Sequence, residues 1–209
     1  LVEDGHLMIP KIVPVDTGIK LELSRMLNSK TGRVDIVRAT SILSSNFKRN
    51  RTIVQLCMKA CDAGRKTLVI VPRVEQAKVI SSMLKHMGCR SVALTSKSKK
   101  DFRKSVLDGF RDGRYEVLCA TQLADEGLDL PNLDTLVQAS AGSAEGRAIQ
   151  RVGRIMRIHP GKMQPIVFDL VDRGIFIRQW KSRYNAYVER LGVNPVPKGS
   201  LANAFRHIA

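Results

Sequence analysis

The sequence predicts an α/β domain, a mainly parallel sheet with helices on both faces. Continuous aliphatic runs such as Thr67–Val71 (TLVIV) read as strands buried on both sides. Such runs alternate with helix-period segments every 20 to 25 residues or so (roughly the length of a strand–helix crossover). The chain is 44% hydrophobic but only 5% aromatic, so its core must rest on Val, Ile, Leu and Met.

The elements follow in order. Lys11 to Val15, after Pro10, reads as a first strand. Residues 19 to 48 read as two helical pieces broken near Thr31-Gly32. Asn50 to Ala63 sets Ile53, Val54, Cys57, Met58 and Cys61 on one helical face, and Gly64 stops it. Thr67–Val71 is a strand, residues 73 to 87 a helix ended by Gly88, and Ser91 to Thr95 a strand. A basic loop, Ser96 to Lys100, precedes a helix from Asp101 to Phe110 and a turn at Asp112-Gly113. Tyr115–Ala120 and Thr135–Ala139 are strands, and Ala144 to Ile158 is a helix stopped by Pro160-Gly161. Pro165–Leu170 is the last strand and Ile175–Leu191 the last helix. The tail from Gly192 to Ala209 has two prolines and little periodicity, and is expected to be loose. In a parallel sheet, ligands bind beyond the carboxyl ends of strands. That rule singles out Arg73, Thr95 to Lys100, Thr121 to Asp129, and Ser140 onward.

Charge narrows the class. Lys and Arg number 35 against 19 Asp and Glu, a net charge of +16 with a pI near 10.2. A polyanion, nucleic acid first, is the expected partner. The plain alternative is charge that only keeps the chain soluble. None of the four cysteines forms a CxxC pair and the four histidines do not cluster with them, so no metal site is expected. Buried reduced thiols in a cytoplasmic or other intracellular, nucleic-acid-containing compartment are expected instead. No run of 18 apolar residues indicates a membrane helix. The opening, from Leu1 to Pro10, carries no signal peptide and reads like mid-chain sequence.

Two constellations carry chemistry. The first is Arg147-Ala-Ile-Gln150-Arg-Val-Gly-Arg154-Ile-Met-Arg157. On a helix, positions 147, 150, 154 and 157 form one stripe. Ile149, Val152 and Met156 form another that can pack on the sheet. A solvated basic face would explain the charges alone. Gly153 argues otherwise, because a mid-helix glycine costs about 1 kcal/mol and makes sense where something approaches the backbone. A guanidinium grips phosphate oxygens with two hydrogen bonds and keeps its charge.

The second is Thr121-Gln-Leu-Ala-Asp125-Glu126-Gly127-Leu128-Asp129-Leu130-Pro131. Gly127 can adopt positive φ beside a ligand, Asp129 can accept a sugar hydroxyl, and Thr121 can hold a backbone phosphate. By itself this is equally an acidic turn before a proline.

Together, residues 115 to 157 resemble the C-terminal RecA-like lobe of superfamily 2 helicases. The stretch through Pro131 looks like motif V, Gln150 to Arg157 looks like motif VI (Q-x-x-G-R-x-x-R), and Thr67 to Lys78 looks like motif IV. The likeness covers roughly residues 50 to 190 and is closest to DNA-repair, phage and large-virus helicases. The Glu126-Gly127-Leu128-Asp129 form separates it from the RGID of DEAD-box RNA helicases. One departure stands after the second strand, where many relatives carry His-Gly and this chain has Thr95-Ser96.

The resemblance implies roles residue by residue. Arg154 and Arg157 would be arginine fingers toward the γ-phosphate of ATP. Gln150, Gly127 and Asp129 would touch nucleotide, with Asp129 near the ribose. Arg73, Thr95, Lys97, Thr121 and Gln122 would meet the nucleic-acid backbone, with DNA as the expected strand. ATP with Mg2+ is the implied cofactor, its metal ligands belonging to a missing N-terminal lobe. No G-x-x-x-x-G-K-[ST] occurs here, so the chain alone is expected to be inactive in ATP hydrolysis. The expected division is an interlobe segment over 1–49, the helicase domain over 50–191 and a tail over 192–209. Two other readings stay open: a non-catalytic nucleic-acid-binding module of the same fold, and a different α/β enzyme such as a nucleotide-dependent transferase. The latter would want a G-x-G-x-x-G after the first strand, which is not seen.

Overall fold

A computed structural model describes residues 7–121, 129–140 and 145–208. Six strands form one sheet: β1 (Lys11–Leu21), β2 (Thr67–Val71), β3 (Ser91–Leu94), β4 (Val117–Thr121), β5 (Thr135–Gln138) and β6 (Ile166–Gly174). Their spatial order is β1-β6-β5-β2-β4-β3, and every pairing is parallel. The helices are α1 (Ile36–Ser45), α2 (Phe47–Asp62), α3 (Val74–His86), α4 (Lys100–Arg111), α5 (Glu145–Met156), α6 (Ile177–Leu191) and the short α7 (Leu201–Phe205). The α/β class expected from the aliphatic runs is the one observed.

Strand residues alternate between two cores, as a period of two requires. Leu68, Ile70, Val167 and Val171 face α4, α5 and α6 through Phe110, Val152 and Tyr187. Val69, Val71, Phe168 and Leu170 face α2, α3 and α7 through Ile53, Ile80 and Ala204. Both faces of the sheet are therefore covered, which explains why β2 is buried at all five positions.

Several boundaries differ from the sequence reading. Residues 19 to 21, expected to be helical, continue β1 past an irregularity between Asp16 and Lys20. Gly18, at φ 68°, makes the bend, and Lys20 and Leu21 resume register with Arg173 and Gly174. Gly174 cannot be larger, because a Cβ there would lie 2.0 Å from the Leu21 carbonyl oxygen. The expected first helical piece is a 3-10 turn at Leu23–Met26 followed by a Leu27–Val34 bridge that encloses Thr31-Gly32. Helix α2 starts at Phe47, before Asn50, because the Asn46 side chain accepts from the Arg49 amide at its N-cap.

The tail expected to be loose is docked. Val196 N–H donates to the Ile12 carbonyl, Gly199 N–H to Pro14, and Asp16 N–H to Gly199. These bonds occupy the outer edge of β1, where unpaired backbone groups need partners. Ala204 and Ile208 then bury in the α2/α3 core. Arg65, itself buried, donates Nε–H to the Ile208 carbonyl.

Strand β6 runs four residues past the expected Leu170, through Asp172, and carries a second aspartate, Asp169, inside the expected strand. Asp169 accepts two hydrogen bonds from Arg183 at 2.8 Å and one from the Tyr187 hydroxyl at 2.7 Å. Asp172 accepts from both Nε and Nη2 of Arg49, at 2.9 to 3.1 Å, and from Thr17 Oγ1 at 2.8 Å. Three residues apart on one strand, the two acids face opposite sides of the sheet. Each side supplies one arginine, from α6 and α2 respectively.

Candidate nucleotide and nucleic-acid interface

The strand register aligns one group of candidates. Val71 pairs with Thr121, and Leu94 with Ala120, so β2, β4 and β3 end nearly level. Arg73, Thr121 and Thr95 thus stand on one carboxyl edge. Thr95 is 5% exposed, and its Oγ1 accepts from the Lys97 amide while its own amide donates to Ser98 Oγ. That tight turn presents the exposed Lys97 outward. Thr121 is also 5% exposed, and its Oγ1 is buried without a hydrogen-bond partner among the described residues. Arg73 is half-buried and leans on α1, with Nη2 donating to the Val37 carbonyl and to Ser41 Oγ. Between α1 and α3 lies a cavity of about 640 Å³, lined in part by Ser44, Arg73, Gln76 and Lys97. Gln122 and Gly127 lie outside the described residues.

The second group is carried by α5. Ala148, Val152, Ile155 and Met156 bury in the core, while Arg147 and Gln150 are exposed and Arg154 is half-buried. The expected polar stripe therefore exists. Arg151, which lies off that stripe, is 1% exposed and donates to Gln138 Oε1 at the end of β5. Gly153 has open space beside it, since an added Cβ meets nothing within 4 Å. Nothing among the described residues explains that glycine. Helix α6 braces the first turn of α5: Ser182 Oγ and Arg190 both donate to the Glu145 carboxylate.

Helix α5 ends at Met156, so Arg157 sits just beyond it, unlike the expectation that the helix runs to Ile158. Its backbone forms an antiparallel bridge with Leu7, and Met8 N–H donates to the Met156 carbonyl. Its guanidinium pairs with the Asp129 carboxylate at 2.5 Å, both side chains more than half exposed. Lys162 Nζ donates to the carbonyls of Arg157 (2.7 Å) and Pro131 (3.1 Å), tying the two segments together. Burial lowers the Lys162 pKa to about 8, although Asp134 nearby opposes this. Arg111 donates to the Asp129 carbonyl.

These two groups occupy different places. Twelve residues of helix span about 18 Å, so α5 carries its end away from the carboxyl edge where it begins. Arg157 meets residues that precede β1 and β5, on the amino side of the sheet. Of the candidates, Arg73, Thr95 and Lys97 follow strand ends and Thr121 closes β4, whereas Arg157 does not stand at a carboxyl end. Among the described residues, the group able to hold a metal is Cys61, Cys89 and Glu116. Its sulfurs do not suit Mg2+.

A parallel sheet in this strand order, with α5 following β5, defines a RecA-like lobe. T4 UvsW matches it with a TM-score of 0.69 at 17% identity, over 93% of this chain and 42% of that one. The C-terminal domain of the DEAD-box protein Dbp5 matches with a TM-score of 0.65 at 16% identity, over 96% and 97%. The model of the helicase conserved C-terminal domain matches residues 48–159, more than half of the chain. The chain belongs to that family, the helicase conserved C-terminal domains. A protein of Sulfolobus islandicus filamentous virus named as a helicase is 34% identical over 119 residues, 56% of this chain and 21% of its own length. "Probable helicase D10" of Escherichia phage T5 is 30% identical over 138 residues, 65% of this chain and 31% of its own length. The chain thus spans less than a third of these relatives. No helix among the described residues is long and apolar enough to cross a membrane.

Proposed function

We propose that this chain is the second motor lobe of an ATP-dependent helicase or translocase that tracks along DNA. The observation that carries the reading is the meeting of Arg157 with Asp129. These two residues, 28 apart in sequence, are the ones the motif pattern assigns to the γ-phosphate and the ribose. An exposed guanidinium suits phosphate oxygens, and an exposed carboxylate suits sugar hydroxyls. Arg154 and Gln150 belong to the same helix. In this reading Arg154 and Arg157 are arginine fingers, a role worth on the order of 10³ to 10⁵ in rate.

The level carboxyl edge with Arg73, Thr95, Lys97 and Thr121 is the backbone grip, joined by Gln122. Gly127 completes the nucleotide side. Mg2+ ligands and the phosphate-cradling loop come from an N-terminal lobe, so the chain alone does not turn over ATP. Closing two such lobes on ATP and releasing them shifts one grip against the other. Fold neighbours support both ligands, since S. cerevisiae Dbp5 has been solved bound to RNA and ADP BeF3. The choice of DNA rests on the Glu126-Gly127-Leu128-Asp129 sequence; rRNA helicases are also among the relatives.

The test is Arg154→Ala in the intact helicase. ATP hydrolysis should fall by at least about 10³, with nucleic-acid affinity nearly unchanged. Hydrolysis that survives would favour a non-catalytic nucleic-acid module of the same fold. Competition between matched DNA and RNA strands decides the substrate, and a preference for RNA would overturn the DNA assignment.

A further inference from the structure

All four cysteines lie on the α2/α3 side of the sheet or in the strand beneath it. Cys57 and Cys119 are fully buried. Cys61, in the last turn of α2, is half-buried, and Cys89, just before β3, is 4% exposed. Their Sγ atoms stand 2.8 Å apart, although both are free thiols. Non-bonded heavy atoms normally stop at about 3.5 to 4.0 Å. The two sulfurs are therefore already aimed at each other, and a bond of about 2.05 Å needs less than 1 Å of further approach.

A metal is the competing use of this pair, with Glu116 as third ligand. Two observations oppose it. Both Glu116 carboxylate oxygens already accept from Arg90, one from its guanidinium at 2.7 Å and one from its amide. Two sulfurs on a tetrahedral zinc, each about 2.3 Å from the metal, would stand about 3.8 Å apart.

We propose that Cys61 and Cys89 are a modification site, forming a reversible disulfide that clamps the end of α2 to the entry of β3. The oxidant is a low-molecular-weight disulfide of the glutathione class. The Cys89 thiolate, favoured by the hydrogen bond that Cys61 donates, attacks one sulfur of that disulfide and one glutathione thiolate leaves. Cys61, whose thiol that bond and burial hold protonated until then, next attacks Cys89 Sγ, the protein disulfide forms, and the second glutathione thiolate leaves. The two cysteine protons end on the two departing thiols, so two cysteines are oxidised and one disulfide is reduced. The hydrogen bond from Cys61, aided by the Arg90 guanidinium, lowers the Cys89 pKa against the opposing effects of burial and Glu116. That suits Cys89 to the first attack, made while Cys61 still carries its proton. The clamp lies on the amino edge of β3 and across the sheet from α5. It does not need either ligand-facing group, so the proposal stands apart from the helicase reading.

The experiment uses the chain as it is. It is incubated with glutathione disulfide, quenched with iodoacetamide in denaturant and mapped by mass spectrometry. The expected result is one bridge, Cys61 to Cys89, with Cys57 and Cys119 alkylated. The thermal midpoint should rise on the order of 5–10 °C, reversibly with dithiothreitol. Cys61→Ser and Cys89→Ser should each show neither bridge nor rise. Four alkylated cysteines after oxidation would overturn the proposal. So would a bridge through Cys57 or Cys119, or one equivalent of zinc held by the untreated chain and lost from both serine variants.

Discussion

Replacing Asp172 with alanine removes the partner of a buried guanidinium. Arg49 is 1% exposed and would keep one of its four hydrogen bonds, the 2.8 Å donation to the Ala139 carbonyl. Thr17 Oγ1 would lose its 2.8 Å acceptor as well. Breaking such a pair from one side costs about 3–5 kcal/mol, because the desolvated charge remains. For a chain of this size, each kcal/mol moves the thermal midpoint by about 2–4 °C, so a fall of about 6–20 °C is expected. The companion variant removes both charges, Arg49→Met with Asp172→Leu, and should recover most of that loss. Urea unfolding of the wild type, both single variants and the double variant gives the coupling directly. If Asp172→Ala costs less than about 1 kcal/mol, Arg49 is not a buried charge dependent on this carboxylate, and the reasoning fails. The consequence would reach the site, since Arg49 holds the exit of β5, from which the chain leads on to the arginine helix.

Two further predictions concern that helix and the segment that follows it. Gly153→Ala should stabilise the fold by about 0.5–1 kcal/mol, since a helical glycine is replaced where an added Cβ meets nothing within 4 Å. The same variant should lower ATP turnover in the intact helicase; a variant both more stable and fully active would mean that nothing approaches the backbone there. Lys162 gives a pH signature. Its folded pKa of about 8 lies below the ordinary 10.5, so the unfolded chain binds more protons between those values and stability should rise with pH from about 8 to 10.5. Lys162→Met should lack that rise in paired urea titrations at pH 7.5 and 10, and an identical rise in both proteins would show that Lys162 is not its source.

Much of this fold was legible because a parallel sheet writes itself as aliphatic runs. Strand β2 needs no partner to be recognised, for all five residues are buried whichever face they take. Strand β6 was cut short for the opposite reason. Past Leu170, Asp172 looks like the start of a loop until Arg49 neutralises it, as Arg183 neutralises Asp169 within the strand from the opposite face. No local pattern announces a partner 123 residues away. The docked tail was missed likewise, since its bonds serve the bare edge of β1 and no periodicity of its own.

The site shows the same division. The carboxyl-edge group could be found from strand ends alone, because register makes those ends level. The arginine helix needed its motif. Its four arginines look alike in sequence, yet each has a different place: Arg151 is buried against Gln138, Arg154 is half-buried, Arg157 is exposed against Asp129, and Arg147 is exposed. Helical phase separates Arg151 from the others, since it lies one step from Gln150 and three from Ala148, on the core side. Phase cannot tell Arg147 from Arg157, which share the stripe. What separates them is length along the axis: ten residues, about 15 Å, put Arg147 near the carboxyl edge and Arg157 near the amino side with Asp129. On the proposed function, only the second position faces a nucleotide held beside the Asp129–Pro131 segment. The role of such a stripe then depends on where it ends as much as on which way it faces.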